Sequence, residues 1–141
     1  RAIAAGAVDL RLGRFDALPS PDASVDRVLA VNVAYFWGEG PEVLRQIGRV
    51  LKPGGLLGVF VTDAAAMRRW RFAGADTHRL FDRRSLAALL AQPPFGEADV
   101  AVAAVRLPFG LPGLVGLARR PQRARTAGAE ITPATTSGSC S

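Results

Sequence analysis

Apolar residues recur along this chain in two rhythms. Val8-Asp9-Leu10-Arg11-Leu12 alternates apolar with polar, the period of a strand. Val28-Leu29-Ala30-Val31-Asn32-Val33 and Leu56-Leu57-Gly58-Val59-Phe60-Val61 are nearly unbroken apolar runs. Such runs suit parallel strands covered on both faces. Between them Val43, Leu44, Ile47, Val50 and Leu51 fall at helical spacing. Pro41 suits the first turn of that helix and Glu42 complements its positive end. Lys52-Pro53-Gly54-Gly55 stops it and turns the chain. Farther on, residues 63–75 read as a helix carrying an arginine cluster. Asp82 is placed to cap a helix through Leu86, Leu89 and Leu90 that ends at Gln92-Pro93-Pro94. Residues 99–107 alternate again. After Pro/Gly turn material, Leu114 to Ala118 reads as a short last strand antiparallel to the one before. At the ends, Arg1 to Ala5 reads as the close of a helix stopped by Gly6, and Gly13 to Ser24 as a loop marked by Pro19, Pro21 and Asp22.

The order strand, strand, helix, strand, helix, strand, strand predicts an α/β fold, a Rossmann-like doubly wound sheet with a C-terminal antiparallel strand pair. Residues 1–119 form the expected domain. Residues 120–141 have few large apolar side chains and no periodicity, and are expected to be a disordered basic, Ser/Thr-rich tail.

Composition narrows the picture. The chain has 141 residues, 49% of them hydrophobic, enough for one core and little more. No charged-then-apolar leader opens it, and its apolar runs break well before a membrane-spanning length, so a cytoplasmic protein without membrane contact is expected. Cys140 is the sole cysteine, which excludes an internal disulfide and a cysteine-based metal site, and no metal-ligand cluster is visible. The net charge is +6, and Lys52 is the sole lysine. Heavy use of Arg, Ala, Gly and Pro resembles the output of a GC-rich bacterial genome. The arginines at 68, 69, 71, 83, 84 and 119–125 read as solvated faces and a basic tail, not as a nucleic-acid surface.

Three segments carry a resemblance. They are Leu12-Gly13-Arg14-Phe15-Asp16-Ala17-Leu18-Pro19-Ser20-Pro21-Asp22-Ala23-Ser24-Val25-Asp26, then Val28 to Trp37, then Leu44-Arg45-Gln46-Ile47-Gly48-Arg49-Val50-Leu51-Lys52-Pro53-Gly54-Gly55-Leu56-Leu57. Together and in this order they closely resemble the type 11, or UbiE-like, class I S-adenosylmethionine (SAM)-dependent methyltransferases, over about Ala2 to Arg119. The resemblance implies methyl transfer from SAM to a nucleophile on a small molecule, with SAM as the cofactor. It also implies that Gly13, Arg14, Phe15 and Asp16 meet the adenine end, and that Val31, Asn32 and Val33 meet the methionine end. Tyr35 and Trp37 would wall the methyl-transfer pocket. Phe36 is expected in the core. Arg14 departs from the family, which places there an acid that accepts from the adenine amino group. A guanidinium has donors only, so Asp16 takes over that role, the residues shift in register, or Asp16 caps local backbone. No residue is assigned as catalytic, and the sole histidine, His78, reads as a surface or supporting residue.

The family also has an acidic, glycine-rich strand–loop–helix ahead of these segments, and no stretch of this sequence supplies it. The resemblance is therefore to the C-terminal part of the domain, and the chain alone is expected to be poorly stable and inactive. The missing N-terminal part of the domain is then an expected partner. The competing readings are a non-catalytic remnant or interaction module, a Rossmann dehydrogenase, which also needs the glycine loop, and a nucleic-acid binder.

Overall fold

The computed structural model describes residues 6–38, 40–69 and 79–122. Its elements are β1 (Val25–Val31), α1 (Pro41–Val50), β2 (Leu51–Thr62), α2 (Ala64–Met67), α3 (Arg83–Leu90), β3 (Val100–Arg106) and β4 (Pro112–Arg119), with short 3-10 turns at Ala34–Phe36, Glu97–Asp99 and Pro108–Gly110. The four strands form one sheet in the order β1-β2-β4-β3. β1 runs parallel to β2, and β4 pairs antiparallel with both β2 and β3. This is a mixed α/β sheet with the expected antiparallel C-terminal pair.

One face of the sheet is the core. Ala30, Leu57, Val59, Val61, Leu114 and Ala118 are buried there together with Val43, Leu44 and Ile47 of α1 and Leu86, Leu89 and Leu90 of α3. The two helices touch each other, since a Cβ on Gly40 of α1's N-terminal edge would run into Leu89. The opposite face is open among the described residues. The register aligns Leu29, Gly58 and Leu117 across three strands, and beside them Val31, Phe60 and Val115. Leu29 is 75% exposed, Val31 49% and Leu117 39%.

Lys-Pro-Gly-Gly has a structural explanation. Between the pairs Val25/Leu51 and Arg27/Leu56 the register jumps, so Lys52 to Gly55 bulge out of the ladder. Gly54 has φ +78°, and a Cβ on Gly55 would lie 2.8 Å from the Lys52 carbonyl oxygen and 3.0 Å from that of Asp26. The first position needs a left-handed backbone and the second has no room for a side chain. Gly54 N–H donates to Arg120 O, and the Arg120 guanidinium donates to the carbonyls of Leu51 and Arg49 at the end of α1.

Several expectations are corrected. Residues 8–12 form no strand, and Val8, Leu10 and Leu12 are exposed, Leu12 completely. An alternating segment becomes a strand only against a neighbour, and none of the described strands pairs with it. β1 starts at Val25 and ends at Val31, because Asn32 turns to a left-handed φ of +52°. Of the helix expected over 63–75, only Ala64–Met67 is helical among the described residues, capped by Asp63. Its remainder from Trp70, with His78, lies outside the described residues, as does the tail from Arg123. α3 matches expectation, with Asp82 accepting from Ser85 N at 2.7 Å and Ser85 Oγ accepting from Asp82 N at 3.0 Å. The bond from Ser85 N–H, and next the one from the Ser85 hydroxyl to Asp82 Oδ1 at 2.8 Å, hold the Asp82 carboxyl below the usual carboxylate range.

Candidate functional site

In open parallel α/β sheets, ligands bind beyond the carboxyl ends of the strands. Here β1 runs into Asn32 and β2 ends at Thr62, and two contacts join them. Asn32 N–H donates to Phe60 O at 2.9 Å. The buried Tyr35 hydroxyl accepts from Thr62 N–H at 2.6 Å and donates to Asn32 Oδ1 at 3.1 Å. The Tyr35 carbonyl accepts from Arg79 N–H at 3.3 Å, which brings in the segment leading to α3.

Beside this edge lies a cavity of about 520 Å³, lined by Gly13, Arg14, Phe15, Asp16, Phe36, Trp37, Gly38, Glu42 and Val43. That volume is in the range of small-molecule sites. The 13–16 loop is a tight turn, Ala17 N–H donating to Arg14 O at 3.2 Å. Arg14 clasps Asp16 with two bonds, Nε to Oδ1 at 2.8 Å and a terminal NH₂ to Oδ2 at 2.7 Å. The hydrogen bonds from Arg14 hold the Asp16 carboxyl below its ordinary range, so it is an anion at neutral pH. Two of its acceptor positions face Arg14, and a carboxylate has about four. Phe15 and Phe36 are 46% and 56% exposed. Trp37 is buried, and its indole N–H has no hydrogen-bond partner among the described residues, which is uncommon for a buried donor. Glu42, in the first turn of α1, is paired with Arg45.

The loop is anchored from below. Arg49 of α1 donates to Leu18 O at 2.9 Å, Ser20 O at 2.8 Å and Asp22 Oδ1 at 2.6 Å. Ala23 and Ser24 N–H groups meet the carbonyls of Arg49 and Val50, each at 2.9 Å.

The sequence-selected residues thus fall in two groups. Gly13, Arg14, Phe15, Asp16 and Trp37 line one cavity. Val31, Asn32, Val33 and Tyr35 do not line it; they form the neighbouring strand end, where the Tyr35 hydroxyl is engaged by protein. Phe36, expected in the core, is exposed and lines the cavity. Its position next to two buried residues follows from the 3-10 turn Ala34–Phe36, which presents one of three successive side chains outward. Gly38, Glu42 and Val43 were not selected, although the Gly38–Pro41 break marks the place. Among the described residues no group of three or more His, Cys, Asp or Glu is placed to hold a metal, and no helix is long and apolar enough to cross a membrane.

A parallel strand pair extended by an antiparallel pair in the order β1-β2-β4-β3 is part of the class I methyltransferase sheet. The model superposes with a TM-score of 0.62 on a chain of the complex between the Haloferax volcanii Trm112 methyltransferase activator and the putative methyltransferase, at 18% identity, over 84% of this chain and 66% of that one. The corresponding values are 0.61, 17%, 84% and 59% for a SAM-dependent methyltransferase from Aquifex aeolicus. They are 0.59, 21%, 86% and 60% for the [4+2]-cyclase SpnF. These likenesses establish the fold. In sequence, residues 1–59 match the methyltransferase-domain family of type 11. The chain is 31% identical over 93 residues to malonyl-[acyl-carrier protein] O-methyltransferase 1 of Coxiella burnetii, covering 62% of this chain and 33% of that enzyme. The match to the type 11 methyltransferase domain thus falls on the N-terminal part of this chain, and the chain spans about a third of the length of this relative.

Proposed function

We propose that these residues form the part of a methyltransferase that takes SAM at the 520 Å³ cavity and directs its methyl group to a small-molecule nucleophile. One observation carries the reading: Gly13, Arg14, Phe15, Asp16 and Trp37, selected from the sequence by resemblance, line the same cavity at the carboxyl edge of the parallel pair. The donor set fits the cofactor. Asp16 is an anion with acceptor positions to spare for the adenine amino group, in place of the acid that Arg14 displaces. Phe15 and Phe36 offer exposed rings to a planar base, and aromatic faces suit a sulfonium cation. SAM would supply the methyl group in an in-line displacement, and the protein's contribution is to align it and exclude water. Phe36 and Trp37 are the residues we assign to that exclusion.

The same reading assigns the open edge of β1 to a further parallel strand of the same domain. Parallel strands are covered on both faces, yet Leu29 and Val31 are exposed, and among the described residues β1 pairs on one side alone. Without that part the 141-residue chain is proposed not to turn over, since its sequence holds no acidic glycine-rich loop. A second reading, a non-catalytic methyltransferase-like module, is favoured by the same open edge. The shared fold of SpnF, a cyclase, also makes the fold alone no guide to the reaction.

Equilibrium dialysis with radiolabelled SAM separates these readings. Binding by the chain that weakens at least tenfold in Phe15→Ala and Trp37→Ala supports the cavity as the cofactor site. Binding untouched by both variants removes the cavity from that role. Absence of binding by the parent chain favours the non-catalytic module.

A further inference from the structure

We propose that Tyr35 is a positioning residue that fixes Asn32 as a donor-only group at the carboxyl edge of β1, so that position 32 selects a hydrogen-bond acceptor on the bound ligand. The inference rests on the methyl-transfer reading for the identity of that ligand, and on hydrogen-bond accounting for the rest.

A tyrosine hydroxyl has one proton. Here the oxygen accepts from Thr62 N–H at 2.6 Å, and the proton goes to Asn32 Oδ1 at 3.1 Å. Thr62 is 3% exposed, so its N–H would be orphaned without this partner. Tyr35 is itself 6% exposed, and its ring packs against Phe81 with centroids 6.1 Å apart, so the hydroxyl has a fixed place. The bond polarises the choice at Asn32. Its carbonyl oxygen is engaged, and its two Nδ2 hydrogens meet no acceptor among the described residues. Asn32 is exposed, so those hydrogens are available to a ligand. The backbone agrees: Asn32 holds a φ of +52°, tied by its N–H to Phe60 O at 2.9 Å. A non-glycine residue in that region is worth an explanation, and such conformations gather where a side chain must be aimed. A carboxylate, a carbonyl or a deprotonated nucleophile fits such a donor, whereas an ammonium group does not.

The composition makes a clean test, because Asn32 is the sole asparagine and Tyr35 the sole tyrosine of the sequence. Chain grown on ¹⁵N-asparagine gives one side-chain NH₂ pair and one backbone amide signal. In Tyr35→Phe both are expected to move toward the positions of free asparagine; signals that stay in place overturn the proposal. Should that variant fail to fold, Asn32→Gly keeps the left-handed backbone and removes the side chain. It must shift the signal of a ¹³C-labelled Tyr35 ring, and an unmoved ring signal overturns the proposal equally.

S-adenosylhomocysteine is the probe for recognition. Its addition is expected to move the NH₂ pair. Asn32→Asp, which keeps an acceptor for Tyr35 and loses both donors, is expected to melt near the parent and to bind the probe at least tenfold more weakly. Binding that leaves the NH₂ pair in place and is unaffected by Asn32→Asp overturns the donor role. A parent chain that binds no probe counts against the methyl-transfer reading, while the labelled signals still decide whether Tyr35 sets Asn32.

Discussion

Arg49 is the residue of the Arg-Val-Leu-Lys-Pro-Gly-Gly segment whose truncation has the widest expected consequence. Its side chain is 30% exposed and joins α1 to the carbonyls of Leu18 and Ser20, 31 and 29 residues earlier. Its pairing with Asp22, whose side chain is 78% exposed, contributes about 0–1 kcal/mol, since water and salt screen such pairs. The two bonds to half-buried carbonyls contribute about 1 kcal/mol each. Arg49→Ala therefore costs roughly 2–3 kcal/mol, and Arg49→Lys about half that, because one ammonium cannot span both carbonyls. At about 4–8 °C per kcal/mol for a domain of this size, a loss near 2 kcal/mol lowers the melting midpoint by roughly 10 °C. The loop should loosen before the core does, because the Ala23 and Ser24 backbone bonds to α1 remain. Thermal melts give the first quantity. Limited proteolysis between Ala17 and Asp22, run below the midpoint, gives the second. An Arg49→Ala midpoint within 2 °C of the parent, with unchanged cleavage, would refute the assignment of the loop's anchorage to this guanidinium.

The other expectations concern separate parts of the fold. Gly55→Ala forces a Cβ against two backbone oxygens and should cost about 1–3 kcal/mol in urea unfolding, whereas Gly54→Asn, which tolerates a left-handed backbone, should cost less than 1 kcal/mol. Equal effects would show that the bulge is not shaped by these glycines. Asp82 has its folded-state pKa lowered by Ser85, so its contribution is present above the unfolded carboxylate range and is lost as pH falls through the folded value. Asp82→Asn, which keeps an acceptor for Ser85 N–H, should flatten the acid limb of stability below the ordinary carboxylate range; an unchanged limb would remove Asp82 from it. Leu29→Thr on the open sheet face should change unfolding free energy by no more than about 0.5 kcal/mol. It should also reduce self-association in light scattering, as expected for an exposed apolar patch. A large loss of stability would mean that this face is covered.

The sequence made the core elements legible because their patterns record burial that the chain achieves by itself. Val43, Leu44 and Ile47 of α1 and Leu86, Leu89 and Leu90 of α3 share one buried cluster with Leu57 and Val59 of β2 and Leu114 and Ala118 of β4. Val8-Asp9-Leu10-Arg11-Leu12 shows the opposite case. Its alternation is as regular as any in the chain, yet no described strand covers its apolar side, so periodicity named the element and the structure withheld it. Phe36 was misread for a local reason: three successive residues in a 3-10 turn cannot share one face, and Ala34 and Tyr35 took the inner positions. The left-handed turn at Asn32 was hidden inside an apolar run, where the only hint is that asparagine tolerates positive φ better than its β-branched neighbours do. The cavity's loop residues were reached through resemblance. Nothing in the composition of Gly13 to Asp16 predicts that Arg14 closes on Asp16.

Two ties hold the candidate site together within the described residues. Asn32 and Thr62 lie at the ends of different strands, and the Tyr35 hydroxyl spans them; Arg79 N–H extends the tie to the approach of α3. The loop lining the cavity is held by Arg49 from a helix inside the core. Both devices are long-range in sequence and local in space, so each survives only while the β1–β2 pair is intact. The open edge of β1 is then the point of weakness for the site as well as for the sheet. Fraying at Leu29 to Val31 would release Asn32 first, since its amide donates to Phe60 across the same ladder. A strand added at that edge would pair β1 on its second side and hold Asn32 where Tyr35 places it, so completing the sheet and ordering the ligand edge are one physical event.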